Sequence, residues 1–168
     1  MRSLLFVRHE AAENIDAALA AGRTEEERRL TEDGIRMFRK AALQIAVVHD
    51  ELDLVLHSPL VRARQTAELL VEMFPGASIN DCESLSPGMQ FVELVKILNQ
   101  TGKDSIALVG HEPDFSQAIS DAICAKGSAR IDVKKGSAIL VNFGDQFAEA
   151  TGCLAWSITA AQLNKFAQ

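Results

Sequence analysis

Two arginines and two histidines each follow a short apolar run, and their side chains suit phosphoryl chemistry. They are Arg8, His9, Arg62 and His111. A guanidinium binds two phosphate oxygens at once, and a neutral imidazole is a good nucleophile. A histidine that follows a strand is more often structural than catalytic, so Arg8-His9 alone is weak evidence. If all four side chains meet, they form a site that binds a phosphoryl group and transfers it.

The elements that would position these residues are short buried strands that alternate with amphipathic helices. The apolar runs 4–7, 52–56 and 106–109 predict strands, and each one ends just before a site residue or its helix. Such alternation predicts an α/β three-layer sandwich, with a mostly parallel central sheet and helices on both faces. Because parallel strands end at the same sheet edge, we expect Arg8, His9, Arg62 and His111 to converge there.

Helix signals fill the segments between the strands. Thr31 is a predicted N-cap of a helix that ends near 49–50, and Ser58 is a predicted N-cap that places Pro59 at the first helical position. Pro75-Gly76 is expected to end that second helix, and the segment 77–88 reads as irregular. Two more helices are predicted over 91–101 and 115–123, and 138–143 with 153–158 predict a hairpin beside the sheet.

The composition is that of an ordinary globular chain. Its 168 residues are 48% hydrophobic and carry a formal charge of −6, which predicts one domain, 1–168, and argues against nucleic-acid binding. No segment resembles a signal peptide or a membrane span, so a cytoplasmic location is expected. The cysteines Cys82, Cys124 and Cys153 show neither a disulfide framework nor a zinc pattern.

Several segments, taken together, resemble the histidine phosphatase superfamily, which also contains the phosphoglycerate mutases. They are Arg8-His9, Leu30-Thr31-Glu32-Asp33-Gly34 (the family's L-T-x-x-G), Ser58-Pro59-Leu60-Val61-Arg62-Ala63-Arg64-Gln65-Thr66-Ala67 (S-P-x-x-R-A-x-Q-T-A), Val109-Gly110-His111-Glu112-Pro113 (V-G-H-x-P) and Gly152-Cys153-Leu154-Ala155-Trp156 (G-x-L-x-W). They occur in the family's order and span the chain. The short length is similar to that of the SixA-like protein-phosphohistidine phosphatases.

The resemblance implies a phosphoglycerate mutase-like fold and a hydrolase that uses no metal or other cofactor. It implies that His9 accepts the phosphoryl group and that Arg8, Arg62 and His111 complete the phosphate pocket. A SixA-like enzyme acts on a phosphorylated protein, so the expected partner is a phosphohistidine-bearing phosphotransfer domain. Three hypotheses stay open: this phosphohistidine phosphatase, a phosphatase of small phosphomonoesters on the same site, and a non-catalytic phosphate-dependent binding module.

Carboxylates near the motifs depart from the family pattern. Glu10 and Glu112 stand where the family has a small residue and an asparagine, and both are expected to point to solvent. Phosphomonoester-cleaving relatives use an acid to protonate the leaving oxygen, in the region that matches 77–88. Only Asp81 and Glu83 are available there, and the sequence does not decide between them. A phosphoramidate needs such an acid less, which favours a phosphohistidine substrate.

The remaining charged residues have default structural interpretations. The cluster 25–29 is expected to be solvated surface, with a flap over the site as the minority interpretation, and its Arg28 and Arg29 are candidates to reach the phosphate. Arg64 is expected to form a salt bridge or bind the protein substrate, and His57 to be structural. A basic patch at Lys126, Arg130, Lys134 and Lys135 is expected to be solvated, with an acidic phosphoprotein as its candidate partner.

Overall fold

The computed structural model describes residues 1–125 and 128–166, which fold around a sheet of six strands. The strands are β1 (Arg2–Arg8), β2 (Leu54–His57), β3 (Ser78–Asp81), β4 (Ser105–Gly110), β5 (Ala138–Phe143) and β6 (Cys153–Ile158). Their order across the sheet is β3-β2-β4-β1-β5-β6. The first four strands are parallel, whereas β5 is antiparallel to both of its neighbours. The predicted mostly parallel sheet and the predicted hairpin are confirmed.

Helices cover both faces of this sheet. Within the described residues they are α1 (Ile15–Ala20), α2 (Glu32–Val48), α3 (Val61–Val71), α4 (Phe91–Gln100), α5 (Asp114–Ile123) and α6 (Ala160–Phe166). One core forms between the sheet and α4 with α5, and the second forms between the sheet and α2, α3 and α6. The structure is therefore the predicted three-layer α/β sandwich. No helix in the described part of the chain has the length and hydrophobicity needed to cross a bilayer.

The strand β1 is buried on both faces, which explains its unbroken apolar run. Leu4 and Phe6 lie in the core of α4 and α5, whereas Leu5 and Val7 lie in the opposite core. None of these four side chains has any exposed surface. Because side chains alternate between the faces of a strand, a strand covered on both sides needs an apolar residue at every position. The polar residues that follow β1 therefore start where the two cores end.

The helix α2 begins as predicted, with Thr31 as its N-cap. Thr31 Oγ1 accepts a hydrogen bond from the Gly34 N–H at 3.0 Å. The same turn packs on the segment that follows β1, because the Thr31 N–H donates to the Ala11 carbonyl at 3.0 Å. A Cβ added to Gly34 would lie 2.4 Å from this carbonyl oxygen. Only a glycine therefore allows α2 to approach the chain just beyond His9 so closely.

The start of α3 corrects the sequence prediction. Ser58 does not cap the helix: Leu60 is the N-cap, and the first helical residue is Val61. Ser58 Oγ contacts His111 Nε2 at 2.8 Å instead. The contact to His111, across 53 positions of sequence, adds to a long local bond from the Leu60 N–H at 3.4 Å, which precedes the helix and does not cap it.

Two further predictions about element boundaries are wrong. The helix α3 ends at Val71 rather than at Pro75-Gly76, and a turn bridges the gap, with the Phe74 N–H bonded to the Val71 carbonyl. The segment 77–88, predicted irregular, contains the edge strand β3 and a 3₁₀ turn over Glu83–Leu85. Three of the four β3 residues are exposed, so the strand lacks the apolar alternation by which a sequence reveals one.

We expect Gly34→Ala to destabilise the protein by about 1–3 kcal/mol, because the new methyl group meets a backbone oxygen that has no room to move. This change opposes helix propensity, which favours alanine by about 1 kcal/mol. Urea unfolding of the variant measures the difference. Gly76→Ala is the matched control, since a Cβ there meets nothing within 4 Å. Equal stability of both variants would contradict this account of Gly34.

Candidate active site

The carboxyl ends of β1 and β4 bring the predicted residues together. Parallel pairing places Arg8 beside Gly110, so the residues that follow, His9 and His111, are neighbours. Their ring centres lie 5.1 Å apart. Arg62, in the first turn of α3, reaches the same point, with its Nε 3.3 Å from His9 Nε2. The predicted convergence at one edge of the sheet is confirmed.

His9 is held with one ring nitrogen free for chemistry. Its Nδ1 lies 2.7 Å from the Glu10 carbonyl oxygen. A carbonyl oxygen only accepts, so Nδ1 carries the proton and Nε2 keeps its lone pair. The Nε–H of Arg62 points at this lone pair. The geometry therefore presents a neutral imidazole with Nε2 as the reactive atom.

Burial keeps both histidines of the site uncharged. Desolvation is the largest cause that lowers the pKa of His9 to about 3, and the nearby His111, Arg62 and Arg8 lower it further, against the opposing Glu10 carbonyl bond. Desolvation followed by the charges of Arg62 and Arg8 lowers the pKa of His111 to about 4. At neutral pH both imidazoles are uncharged, which is the state in which a histidine can attack phosphorus.

His111 also has a fixed orientation. Its Nε2 lies 2.8 Å from Ser58 Oγ, and this oxygen accepts a hydrogen bond from the Leu60 N–H at 3.4 Å. If the Ser58 hydroxyl donates its own proton to Nε2, the proton of the neutral His111 ring lies on Nδ1. His111 Nδ1 is buried and has no hydrogen-bond partner within the described residues.

Arg8 is anchored at one side of its guanidinium. Its Nη1 donates to the Val133 carbonyl at 2.7 Å. Its Nε is buried and, within the described part of the chain, has no partner. Arg8 Nε and His111 Nδ1 are therefore two buried nitrogens that have no hydrogen-bond partner among the described residues. Buried polar atoms normally have partners, so both nitrogens are available to hydrogen-bond a bound group.

Arg62 is held by a residue that the sequence analysis assigned to solvent. Arg62 Nη1 donates to the Glu25 carbonyl oxygen at 3.0 Å and to Glu25 Oε2 at 3.2 Å. Arg62 Nη2 donates to Glu25 Oε1 at 3.1 Å. Glu25 is exposed as expected, with 51% of its side chain open to solvent, but its carboxylate also contacts Arg62 because the loop that carries it folds against α3. The one available signal was its place three residues before Arg28, next to the L-T-x-x-G motif.

Comparison with known protein families accounts for this set of residues. Residues 4–86 match the family model described as the histidine phosphatase superfamily, branch 1. Over this segment, which is just under half of its length, the chain is similar to the histidine phosphatase superfamily. The matched segment contains His9, both arginines of the site and Ser58, while His111 lies beyond it. No curated protein sequence matches the chain significantly.

Solved structures share the fold over nearly the whole chain. The protein histidine phosphatase SixA complexed with tungstate has a TM-score of 0.79 at 21% identity, over 96% of this chain and 99% of that one. A proposed phosphohistidine phosphatase SixA from Agrobacterium tumefaciens has a TM-score of 0.74 at 21% identity, over 94% and 97%. A phosphoserine phosphatase variant from Entamoeba histolytica, bound to phosphoserine, has 0.69 at 16%, over 97% and 100%. At these identities the likeness establishes the fold.

Glu10 and Glu112, the two carboxylates that depart from the superfamily pattern, were expected to point to solvent, and the structure differs. Glu10 is only 8% exposed; its Oε1 accepts from the Ala11 N–H at 2.9 Å, and burial raises its pKa. A Cβ at Gly136 would lie 2.0 Å from Glu10 Oε2, so the carboxylate packs against that backbone. Glu112 is half-buried, and its Oε1 accepts from the Ser116 N–H at 3.0 Å in α5. Local backbone donors, rather than water, orient both side chains.

The two candidate proton donors lie in different clefts. Glu83 is exposed and borders a cleft of about 470 Å³ that is also lined by Glu25, Leu60 and Pro87. Asp81 borders a neighbouring cleft, lined by His57 and Arg64 among others, and Pro59 lies between the two. The cleft of Glu83 therefore adjoins the residue that holds Arg62, whereas the cleft of Asp81 does not. Geometry favours Glu83 over Asp81 as a group near the site.

Other predicted residues take structural positions. Arg29 is exposed, and its backbone N–H donates to Glu13 Oε2 at 3.0 Å, whereas Arg28 reaches Glu25 at 3.2 Å. Arg64 forms the expected salt bridge, at 3.8 Å to Glu68. His57 is buried, with Nδ1 2.9 Å from the Ser58 carbonyl oxygen, in keeping with a structural role.

The basic patch is exposed where the structure describes it. Its described members are Arg130, Lys134 and Lys135. Lys126, the fourth predicted member, lies outside the described residues. The patch adjoins the site through Val133, whose carbonyl accepts the hydrogen bond from Arg8. Among the described residues, no three His, Cys, Asp or Glu side chains are grouped so that they could share a metal ion.

We expect the protonation of His9 to lower the free energy of unfolding as the pH is lowered. The unfolded chain protonates this ring near pH 6.5 and the folded chain only near 3, so between these values the unfolded state binds more protons. From pH 7 to pH 5 this lowers the unfolding free energy by about 2 kcal/mol. His9→Asn should therefore lose about 2 kcal/mol less than the wild type over this interval.

Urea unfolding of both proteins at the two pH values measures this difference. The raised pKa of Glu10 acts with the opposite sign, since the folded state then binds the extra proton. The contribution of Glu10 to the pH dependence is present in both proteins and therefore cancels in the comparison. The contribution of His111 cancels in the same way. An equal loss of stability in the wild type and His9→Asn would mean that His9 is not held neutral.

Proposed function

We propose that this chain is a phosphatase that removes the phosphoryl group from phosphohistidine on a protein, through a phospho-His9 intermediate. The observation that carries the proposal is the set of buried groups around His9 Nε2. Its lone pair is unprotonated and accepts one hydrogen bond, from Arg62 Nε at 3.3 Å, and Arg8 Nε and His111 Nδ1 have no partner among the described residues. A nucleophile surrounded by unsatisfied donors is what phosphoryl transfer requires, since its catalysis rests on positioning and charge.

In the first step His9 Nε2 attacks the phosphorus of the substrate. The bond between this phosphorus and the substrate imidazole nitrogen breaks, and that nitrogen takes a proton from solvent. Arg8, Arg62 and His111 donate hydrogen bonds to the phosphoryl oxygens throughout the transfer. In the second step water attacks the phosphorus of phospho-His9 and gives up a proton. The bond from phosphorus to Nε2 then breaks, which releases phosphate and restores the free imidazole.

Two features support a phosphohistidine protein as the substrate. A protonated imidazole leaves easily, so the reaction does not depend on a buried acid, and Glu83 and Asp81, the candidate donors, are both exposed. The patch of Arg130, Lys134 and Lys135 next to Arg8 offers positive charge to an acidic phosphoprotein. The likeness in fold to SixA, a protein histidine phosphatase, agrees with this choice of substrate.

A second candidate is a phosphatase of small phosphomonoesters on the same site. The observation that favours it is Glu83, a carboxylate in the cleft beside Glu25, where its Oε1 accepts a hydrogen bond only from the nearby Ser86 hydroxyl within the described residues. An ester oxygen leaves poorly unless it is protonated, so this activity needs such an acid. Phosphoserine phosphatase, whose name states an ester substrate, has a similar fold.

We expect His9→Asn to lower turnover of a phosphohistidine-bearing phosphotransfer domain by at least about a thousandfold, because no other group replaces Nε2. The assay compares this substrate with a panel of small phosphate esters for both proteins. Acid-stable esters and acid-labile phosphohistidine are followed by phosphate release at neutral pH. A phosphorylated His9 trapped during steady turnover would exclude a non-catalytic binding module. Substantial turnover by His9→Asn would refute the mechanism.

We expect Glu83→Gln to lower the hydrolysis of any ester substrate by about a hundredfold or more, and to leave phosphohistidine hydrolysis within about twofold of the wild type. The reason is that only the ester needs a proton donor. Asp81→Asn is the matched control and should leave both activities unchanged, because it lies in the other cleft. If Asp81→Asn lost ester hydrolysis and Glu83→Gln did not, the proton donor would be Asp81, and the assignment to Glu83 would be wrong.

A further inference from the structure

The guanidinium of Arg62 uses its two edges for different partners. One edge, formed by Nη1 and Nη2, is covered by the Glu25 carboxylate at 3.1 and 3.2 Å, and the Glu25 carbonyl adds a third bond at 3.0 Å. The other edge, formed by Nε and Nη2, faces His9 through the contact at 3.3 Å. A guanidinium offers bidentate hydrogen bonds along either edge. Glu25 thus leaves free the edge that a phosphoryl group on His9 would need.

Among the described residues, Glu25 and His9 supply every hydrogen bond that the Arg62 guanidinium makes. The bond to His9 must yield when Nε2 attacks phosphorus. During the reaction Glu25 is then the one group, within the described part of the chain, that still hydrogen-bonds the guanidinium. Arg62 is only 6% exposed, so no shell of solvent takes over that task.

Glu25 is itself held in place from two directions. Arg28 Nη1 contacts its two carboxylate oxygens at 3.2 and 3.3 Å, and Arg28 Nε is anchored on the Glu13 carbonyl at 2.8 Å. The next residue, Glu26, accepts the Val61 N–H at 3.0 Å, which fastens the loop to the first turn of α3. The carboxylate also lies between two guanidiniums that would otherwise repel each other.

We propose that Glu25 is a positioning residue for phosphoryl transfer, which holds the Nε edge of Arg62 toward the phosphoryl group on His9. The inference rests on the proposed function and adds a group from a loop that no motif includes. Glu25 touches neither the nucleophile nor the transferred group; it acts through Arg62. Its removal should therefore impair the transfer step more than the binding of substrate, because orientation matters most in the transition state.

The test compares Glu25→Gln with Glu27→Gln, steady-state kinetics being measured on the best substrate of the wild type. Glu27 is exposed, lies in the same loop and accepts the Thr24 N–H, a bond that glutamine retains. We expect kcat to fall by about tenfold to a hundredfold in Glu25→Gln, with a smaller change in KM, and Glu27→Gln to match the wild type. An unchanged or higher kcat in Glu25→Gln would overturn the proposal.

A double-mutant cycle shows whether Glu25 acts through Arg62. In an Arg62→Ala background, Glu25→Gln should have no further effect on kcat/KM. If the two substitutions lowered kcat/KM by factors that multiply, the positioning role would be refuted. Equal melting temperatures of Glu25→Gln and the wild type exclude a general loss of structure.

A readout without turnover separates this inference from the proposed function. The Arg62 Nη–H resonances, whose protons bond the Glu25 carboxylate, should be sharp in the wild type and broadened by exchange in Glu25→Gln, whether or not a substrate is found. A wild type that hydrolyses no phosphorylated substrate would refute the proposed function alone. An Arg62 resonance that Glu25→Gln leaves unchanged would refute the positioning role alone.

Discussion

The site depends on the pairing of β4 with β1 on one side and β2 on the other, both in parallel. This pairing makes all three strands end at one level, with Arg8 beside Gly110 and His57 beside Val109. The residues that follow are then brought within contact although they are about fifty or a hundred positions apart in sequence. Antiparallel pairing at either junction would send one of these strand ends to the opposite edge. The geometry of the site is thus a consequence of strand direction before any side chain is considered.

Burial determines the chemical state of the side chains collected there. His9 and His111 are less than a tenth exposed, and desolvation favours their uncharged forms. The bond from His9 Nδ1 to the Glu10 carbonyl then decides which nitrogen has the lone pair. Arg62 is equally buried, and its charge is balanced by Glu25. The same enclosure that keeps His9 neutral therefore creates the need for a carboxylate near the arginine.

The loop between β1 and α2 contributes more than its composition indicates. It is rich in charge, which normally means solvated surface. Here it folds back through an antiparallel bridge between Ala12 and Leu30, and the Leu30 N–H donates to Gln65 Oε1 on α3 at 2.8 Å. These contacts bring the Glu25 carboxylate against the Arg62 guanidinium. The loop therefore belongs to the structure of the site, and the superfamily motif that ends at Gly34 fixes its far end by the close approach to Ala11.

The sequence alone determined the α/β class, the strands that carry the site and the four residues expected to meet there. These features are readable because they depend on local patterns: apolar runs, capping residues and the residue that follows each strand. Tertiary structure alone decided that Ser58 turns to His111 instead of capping α3, that Glu10 is buried, and that Glu25 rather than water faces Arg62. Each of these outcomes depends on a partner distant in sequence or on the packing of neighbouring backbone. Side-chain type and spacing do not encode such partners, because the same glutamate is stable in water, on a backbone N–H or against a guanidinium.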